Sequence, residues 1–192
     1  TSPDDLIFRG KQKQEEVLLK IIDFNSENLK EDSLKTLNQI KSFQHEHTVT
    51  WLNIDGLHNM ILMEEIATLF DFDKLVLAEV LKTEGRSRII DYDNCTLITI
   101  KMLQEDAQSG IIKVENISLI LTKEILISFQ ERRGDVFEPV RERIRKQKKR
   151  IRNHLQKIKI VETTTKTKME NWRCFIGSNA KRFFCIWTNC RN

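Results

Sequence analysis

Few residues in this sequence have the types and spacing to do chemistry, and those few point toward ions. Asp91 and Asp93 flank Tyr92, so on an extended strand they point the same way and can share a cation. The commoner fate of such a pair is a solvated strand end. Arg141, Arg143, Arg145, Lys146, Lys148, Lys149, Arg150 and Arg152 place eight cations in 12 residues. A run of that density suits phosphate groups, with affinity falling steeply in salt, but no aromatic residue is interleaved to stack bases. The plainer reading is the solvated basic face of a long helix turned toward the acidic body, here or in a neighbouring chain. His45, His47, His58 and His154 show no metal-ligand spacing. Cys95 sits alone in an apolar run and reads as core, while Cys174, Cys185 and Cys190 lack the close pairs of most zinc sites. No phosphate-binding glycine loop, zincin helix or nucleophile elbow is present. Nothing here supports an enzyme.

The bulk composition sharpens that reading. The chain has 192 residues, 40% of them apolar and 31% charged, which suits one domain with a tail. Its net charge of +4 hides a split. Residues 1–140 carry 16 cations against 25 acids, whereas residues 141–192 carry 16 cations against three. The apolar runs are too short to span a bilayer, the start is polar and acidic, and the cysteine usage suits a reducing, cytoplasmic compartment.

The elements that must position these residues follow from periodicity. Residues 6–9 and 16–24 are rich in strand formers, with Gly10 as a turn between them. Leu34, Leu37 and Ile40 recur at helical spacing and predict an amphipathic helix over 31–43. Residues 48–54 alternate as a strand, with Val49 and Trp51 on one face and Thr50 and Leu52 on the other, ended by Asp55-Gly56. Leu62, Ile66 and Leu69 mark a helix, and Asp73 caps another from Lys74 to about Lys82. Strands follow at 88–92, 95–103, 111–121 and 125–130. The sum is an α/β fold, a mixed sheet between helical layers. Over 137–160 a charged helix carries a narrow stripe of Phe137, Val140, Ile144, Ile151, His154 and Ile158, interrupted by Gln147. Such a helix is about 36 Å long.

In order and spacing, several of these segments resemble the cytoplasmic domain of CorA-type magnesium/cobalt transport proteins. Thr50-Trp51-Leu52-Asn53-Ile54-Asp55-Gly56-Leu57-His58 is similar to that family's strand-turn motif, and Leu75-Val76-Leu77-Ala78-Glu79-Val80-Leu81 to one of its helices. Ser118-Leu119-Ile120-Leu121-Thr122-Lys123 and Phe129-Gln130-Glu131 resemble its central hairpin. The most specific match runs from Gly134-Asp135-Val136-Phe137-Glu138-Pro139 through Val140-Arg141-Glu142-Arg143-Ile144-Arg145, which opens the family's stalk helix. The likeness covers about 6–153 and departs at two points. No Gly-Met-Asn pore signature occurs, and from about His154 the text resembles nothing in the family. That shift is of the kind a wrong reading frame or a foreign extension produces.

The resemblance implies a cytoplasmic α/β domain over 1–136, a truncated stalk helix over 137–160 and an atypical tail over 161–192. It implies a divalent-cation-sensing regulatory domain at the cytoplasmic side of the membrane. Five copies would form a funnel, with Mg²⁺, or Co²⁺ as its substitute, bound between them to hold the pore closed. Its partners would be copies of itself and a membrane domain missing here, with no nucleic acid, and without that membrane domain the chain would not conduct. The family's acidic pair aligns with Ala78 and Glu79, so one carboxylate remains, and its partner would lie on the distal stalk. The plainer reading of Glu79 is an ordinary exposed helix glutamate near Lys82, one turn on. The alternative to the whole scheme is a soluble interaction module that binds anionic partners or nucleic acid through the basic helix over 141–152.

Overall fold

A computed structural model describes residues 6–8, 10–43, 48–105, 110–123 and 125–146. Its strands are β1 (Leu18–Phe24), β2 (Leu29–Leu34), β3 (Val49–Asp55), β4 (Arg88–Asp91), β5 (Thr96–Glu105), β6 (Ile112–Leu121) and β7 (Ile125–Gln130). They form one seven-stranded sheet in the order β2-β1-β3-β7-β6-β5-β4. All neighbours are antiparallel except β3 and β7, which run parallel. A parallel pair needs a long crossover. Here helices α1 (Met60–Phe70) and α2 (Lys74–Val80) and the β4–β6 meander supply it. The mixed sheet between helices expected for the fold is what the chain forms.

Local chemistry fixes the ends of these elements. The Asn25 side chain accepts from the backbone N–H of Glu27 and Asn28, closing the β1–β2 hairpin. Asn59 caps α1 through the Leu62 N–H, and Asp71 in a left-handed conformation ends it. Asp73 caps α2 through the Leu75 N–H.

Two expected elements differ. The helix over 31–43 is instead β2 followed by a 3-10 turn, Leu37–Ser42. Spacing by three suits the 3-10 repeat as well as the α-helical one, and Gln39 bonds back to the N–H of Lys35 and Thr36, fixing the turn there. Residues 6–8 form no strand; Leu6 and Phe8 instead pack against the core. The last described helix, α3 (Glu138–Arg145), starts where the stalk was expected. Residues 147–192 lie outside the described residues, and with them most of the helix expected over 137–160 and the tail expected over 161–192.

The sheet has two unequal faces. On one, the 3-10 turn, α1 and α2 cover a continuous core that includes Ile21, Leu52, Ile54, Met63, Ile66, Leu77, Leu97, Ile120 and Ile127. On the other, α3 meets two smaller clusters, one around Trp51 with Ile22, Phe24 and Ile144, the other around Ile98, Met102, Ile117 and Leu119. Trp51 and Leu52 thus bury on opposite sides, as the alternation of β3 requires.

Candidate functional site

Polar residues are built into the α3 face where β3 and β7 run side by side. Asn53 lies opposite Ser128, and Asp55 opposite Gln130. Trp51 Nε1 donates to Ser128 Oγ at 2.9 Å, and Ser128 Oγ donates to Asn53 Oδ1 at 2.6 Å. Asn53 Nδ2 donates to Asp55 Oδ1 at 2.7 Å, and Gln130 donates to the same oxygen. The chain of bonds is buried throughout. Burial pushes the Asp55 carboxyl above the ordinary carboxylate range, and its bonds to Gln130 and Asn53 only partly offset this.

Helix α3 is anchored to this array by one ion pair. Gly134, at φ 102°, makes the left-handed turn that sets Asp135 at the helix entrance. Asp135 accepts from the Phe137 N–H at 2.9 Å and from Arg141 Nη1 at 2.7 Å, while its second oxygen holds Arg141 Nη2. The guanidinium lies 4.7 Å from the centre of the Trp51 ring, and Phe137 meets the same ring edge-on at 5.8 Å. Burial alone lowers the Arg141 pKa, but Asp135 and Glu138 more than compensate and it ends raised. One turn on, Arg145 donates to both Glu31 oxygens on β2, at 2.8 and 2.6 Å, and also pairs with Glu138.

Among the described residues the basic run is therefore not one solvated face: Arg141 leaves it, while Arg145 faces the acidic body as expected. Arg141 points into the sheet, because Asp135 and the Trp51 ring hold it there. Arg145 faces the chain's own acids, and Lys146 pairs with Glu142 at 3.0 Å. Arg143 lies half-buried on the helix. Lys148, Lys149, Arg150 and Arg152 lie outside the described residues.

The N-terminal segment straps the end of the sheet nearest this joint. Gln14 donates to the Asp55 carbonyl at 2.6 Å and accepts from the Arg133 N–H at 2.9 Å. Gly56, at φ 99°, passes so close that an added Cβ would meet Gln14 Nε2 at 2.7 Å. Lys13 bridges the buried carboxylates of Glu115 and Glu131 at 3.1 and 2.9 Å. Burial lowers its pKa, but the bonds it donates to Glu131 and Glu115 prevail and leave it raised.

The three carboxylates with an expected role toward cations are not brought together. Asp91 is on β4, where it accepts from the Thr96 hydroxyl at 2.6 Å. Asp93 lies past the end of β4, in the turn closed by the Tyr92 N–H to Cys95 carbonyl bond, so strand alternation does not align the two. Glu79, on α2, already carries two cations, Lys82 on one oxygen and Arg88 on the other. A divalent ion prefers unneutralised oxygen ligands, so these residues do not fit one as they stand. Among the described residues, no group of three or more His, Cys, Asp or Glu side chains could hold a metal ion. Glu79 does pair with Lys82, as the plainer reading expected, but it is largely buried rather than exposed. The Asp135–Arg141 joint escaped sequence reasoning, although its signal was present: an acid just after a glycine turn, six residues before an arginine on the apolar stripe.

Residues 46–168 match the sequence family described as CorA-like Mg²⁺ transporter protein, so the likeness runs past His154, where it was expected to stop. The chain is 33% identical over 143 residues to the cobalt/magnesium transport protein CorA of Thermotoga maritima, which covers 74% of this chain and 40% of that relative. Among solved structures, the ZntB cytoplasmic domain from Vibrio parahaemolyticus aligns with TM-score 0.53 and 12% identity over 75% of this chain and 57% of its own. Full-length CmaX protein aligns with TM-score 0.52 and 13% identity over 88% of this chain and 51% of its own. At such identities these two likenesses speak for the fold alone. The chain thus spans 40% of the curated relative and little more than half of each structural neighbour. Among the described residues, no helix is long and apolar enough to cross a membrane.

Proposed function

The chain belongs to the CorA-like Mg²⁺ transporter family, and from that premise we propose that it is the regulatory, cytoplasmic-side part of a magnesium/cobalt transporter. In this reading the body responds to divalent cations bound between neighbouring copies. The helix beginning at Glu138 carries the response toward a membrane part outside this chain, where conduction belongs. It catalyses no reaction.

The Asp135–Arg141–Trp51 joint carries the reading. A helix that only ended the domain could be held by apolar contact. This one is tied by a bidentate, buried ion pair stacked on the central strands, so its first two turns move with the sheet. A rearrangement between bodies is then transmitted as a tilt of the helix rather than absorbed by a loose hinge. The acidic excess of residues 1–140 supports the sensing half of the proposal. Acidic surfaces on adjacent copies repel, and a divalent cation between them relieves the repulsion.

The test is the mass of the purified chain in solution, by light scattering, with about 10 mM MgCl₂ and then with excess chelator, a concentration chosen to fill weak carboxylate sites. Assembly into a larger species with Mg²⁺, reversed by chelator, is the expected result. An unchanged mass together with an unchanged melting temperature removes the sensing role.

A further inference from the structure

Glu79 stands where the resemblance expects a carboxylate that takes a divalent ion, and the structure puts protein cations there instead. Helix α2 ends at Val80, and the chain returns through 82–87 to Arg88, the first residue of β4. Glu79 holds both sides of that return: one oxygen takes the Lys82 ammonium and the other the Arg88 guanidinium. Its side chain is only 19% exposed, so these pairs are only partly screened by water. Tyr92 is close enough that, after burial, the Glu79 charge is the next cause raising its phenol pKa. The group of Glu79, Lys82 and Arg88 carries a net charge of +1 by simple count. A divalent ion arriving there would meet net repulsion, would have to displace a guanidinium, and would gain one carboxylate. Among the described residues no group of three or more His, Cys, Asp or Glu side chains could hold a metal ion here, and of the two expected acids Asp91 is bonded to Thr96 while Asp93 lies in the turn beyond β4.

We propose that Arg88, with Lys82, takes the place of a metal ion at this position: an internal ion-pair clamp closes the return from α2 to β4, and Glu79 is its structural anion rather than a metal ligand. The inference rests on the family reading only for why a cation belongs there. Any cation response of the domain then arises at other acids. Because the clamp is part of the chain, this segment stays closed whether or not divalent ions are present.

The decisive measurements are melting temperatures of wild type, Glu79→Gln, the Lys82→Gln/Arg88→Gln pair and that pair combined with Glu79→Gln, each in chelator and in about 10 mM MgCl₂. In chelator, Glu79→Gln is expected to lower the melting temperature by about 2–4 °C, because it leaves the half-buried Arg88 guanidinium, and with it the exposed Lys82 ammonium, without their anion. The charge swap Glu79→Arg/Arg88→Glu should recover part of that loss. Any Mg²⁺ shift seen in wild type should survive in Glu79→Gln. The Lys82→Gln/Arg88→Gln pair, with its carboxylate freed, should gain a Mg²⁺-dependent rise that vanishes when Glu79→Gln is added.

Two results overturn the proposal: a wild-type Mg²⁺ shift abolished by Glu79→Gln, or a metal-free melting temperature unmoved by that substitution. A wild type whose melting temperature and mass are both indifferent to Mg²⁺ would remove the sensing role and leave the clamp to be decided by the chelator arm and by the gain of response. The two readings therefore fail separately.

Discussion

The two faces of the sheet are held by different physics. The face under α1 and α2 is a continuous apolar core, and its fully buried residues, such as Leu52, Ile66 and Leu77, contribute through area and close packing. The face under α3 sets a hydrogen-bonded column and one buried ion pair among smaller apolar clusters. Apolar packing is non-directional and tolerates repacking. A bidentate pair fixes the angle and register of a helix but is unforgiving when half of it is removed. The first face suits a body that must only stay folded, and the second suits a joint that must hold a lever in one orientation.

That contrast is most exposed to failure at Arg141. Arg141→Ala strands the Asp135 carboxylate, itself 2% exposed, and is expected to cost about 3–5 kcal/mol in urea unfolding. Pairing it with Asp135→Leu should recover much of the loss, since replacing both partners by apolar groups is far less costly than removing one. A cost below about 1 kcal/mol for the single variant, as for an ordinary surface pair, would erase the distinction between the faces.

On the other face, Leu52→Ala is expected to cost about 2–5 kcal/mol, from lost transfer energy and the cavity left behind. No polar group is stranded there, so Leu52→Met should restore most of the stability, whereas Arg141→Lys, which cannot fork onto Asp135, should not. Unfolding curves of these four variants test the comparison directly. Equal rescue on both sides would mean that α3 is held by packing alone.

What could be read from the sequence divides along the same line. Strands β3 to β7 and helices α1 and α2 were legible because alternation, cap residues and turn residues agree there; Asp73, for example, both looks like a cap and acts as one. The β2 strand was hidden because Leu34, Leu37 and Ile40 repeat by three, and only Asn25 and the Gln39 back-bond, both side-chain to backbone signals, reveal a hairpin and a 3-10 turn. The polar column was harder still. Asn53, Asp55, Ser128 and Gln130 are unremarkable apart in sequence and become a network only through the parallel register of β3 and β7. Glu79 was visible as a charged position, but its role depended on Arg88 arriving from the next strand.

A smaller effect probes the column itself. Burial raises the Asp55 pKa, so the folded chain holds that proton to higher pH than the unfolded chain does. Its contribution to stability is full below the ordinary carboxylate range and is lost as the pH rises through the folded value. Asp55→Asn keeps an oxygen to accept from Gln130 and Asn53 and removes the buried charge. Relative to wild type, it should gain stability between about pH 3 and pH 7, as read from thermal melts. A gap that is flat or runs the other way would mean that the bonds donated by Gln130 and Asn53, not burial, govern this carboxyl.

The smallest expected effect belongs to Arg145, and its size decides where the joint ends. Arg145 reaches Glu31 on β2 with two bonds and Glu138 with another, and these attractions raise its pKa. By its two hydrogen bonds to one carboxylate this tie looks as strong as that of Arg141. Its setting is different, because 36% of the Arg145 side chain, 32% of Glu31 and 55% of Glu138 face solvent. Water and salt screen such pairs, and exposed pairs are typically worth about 0.2–1 kcal/mol. Arg145→Gln should therefore lose less than about 1 kcal/mol, and most of that loss should vanish in about 1 M NaCl, where screening reaches only about 3 Å. The Arg141→Ala cost should persist in the same salt. If Arg145→Gln instead costs as much as Arg141→Ala and resists salt, the rigid joint extends a full turn further along α3 and includes the edge strand β2.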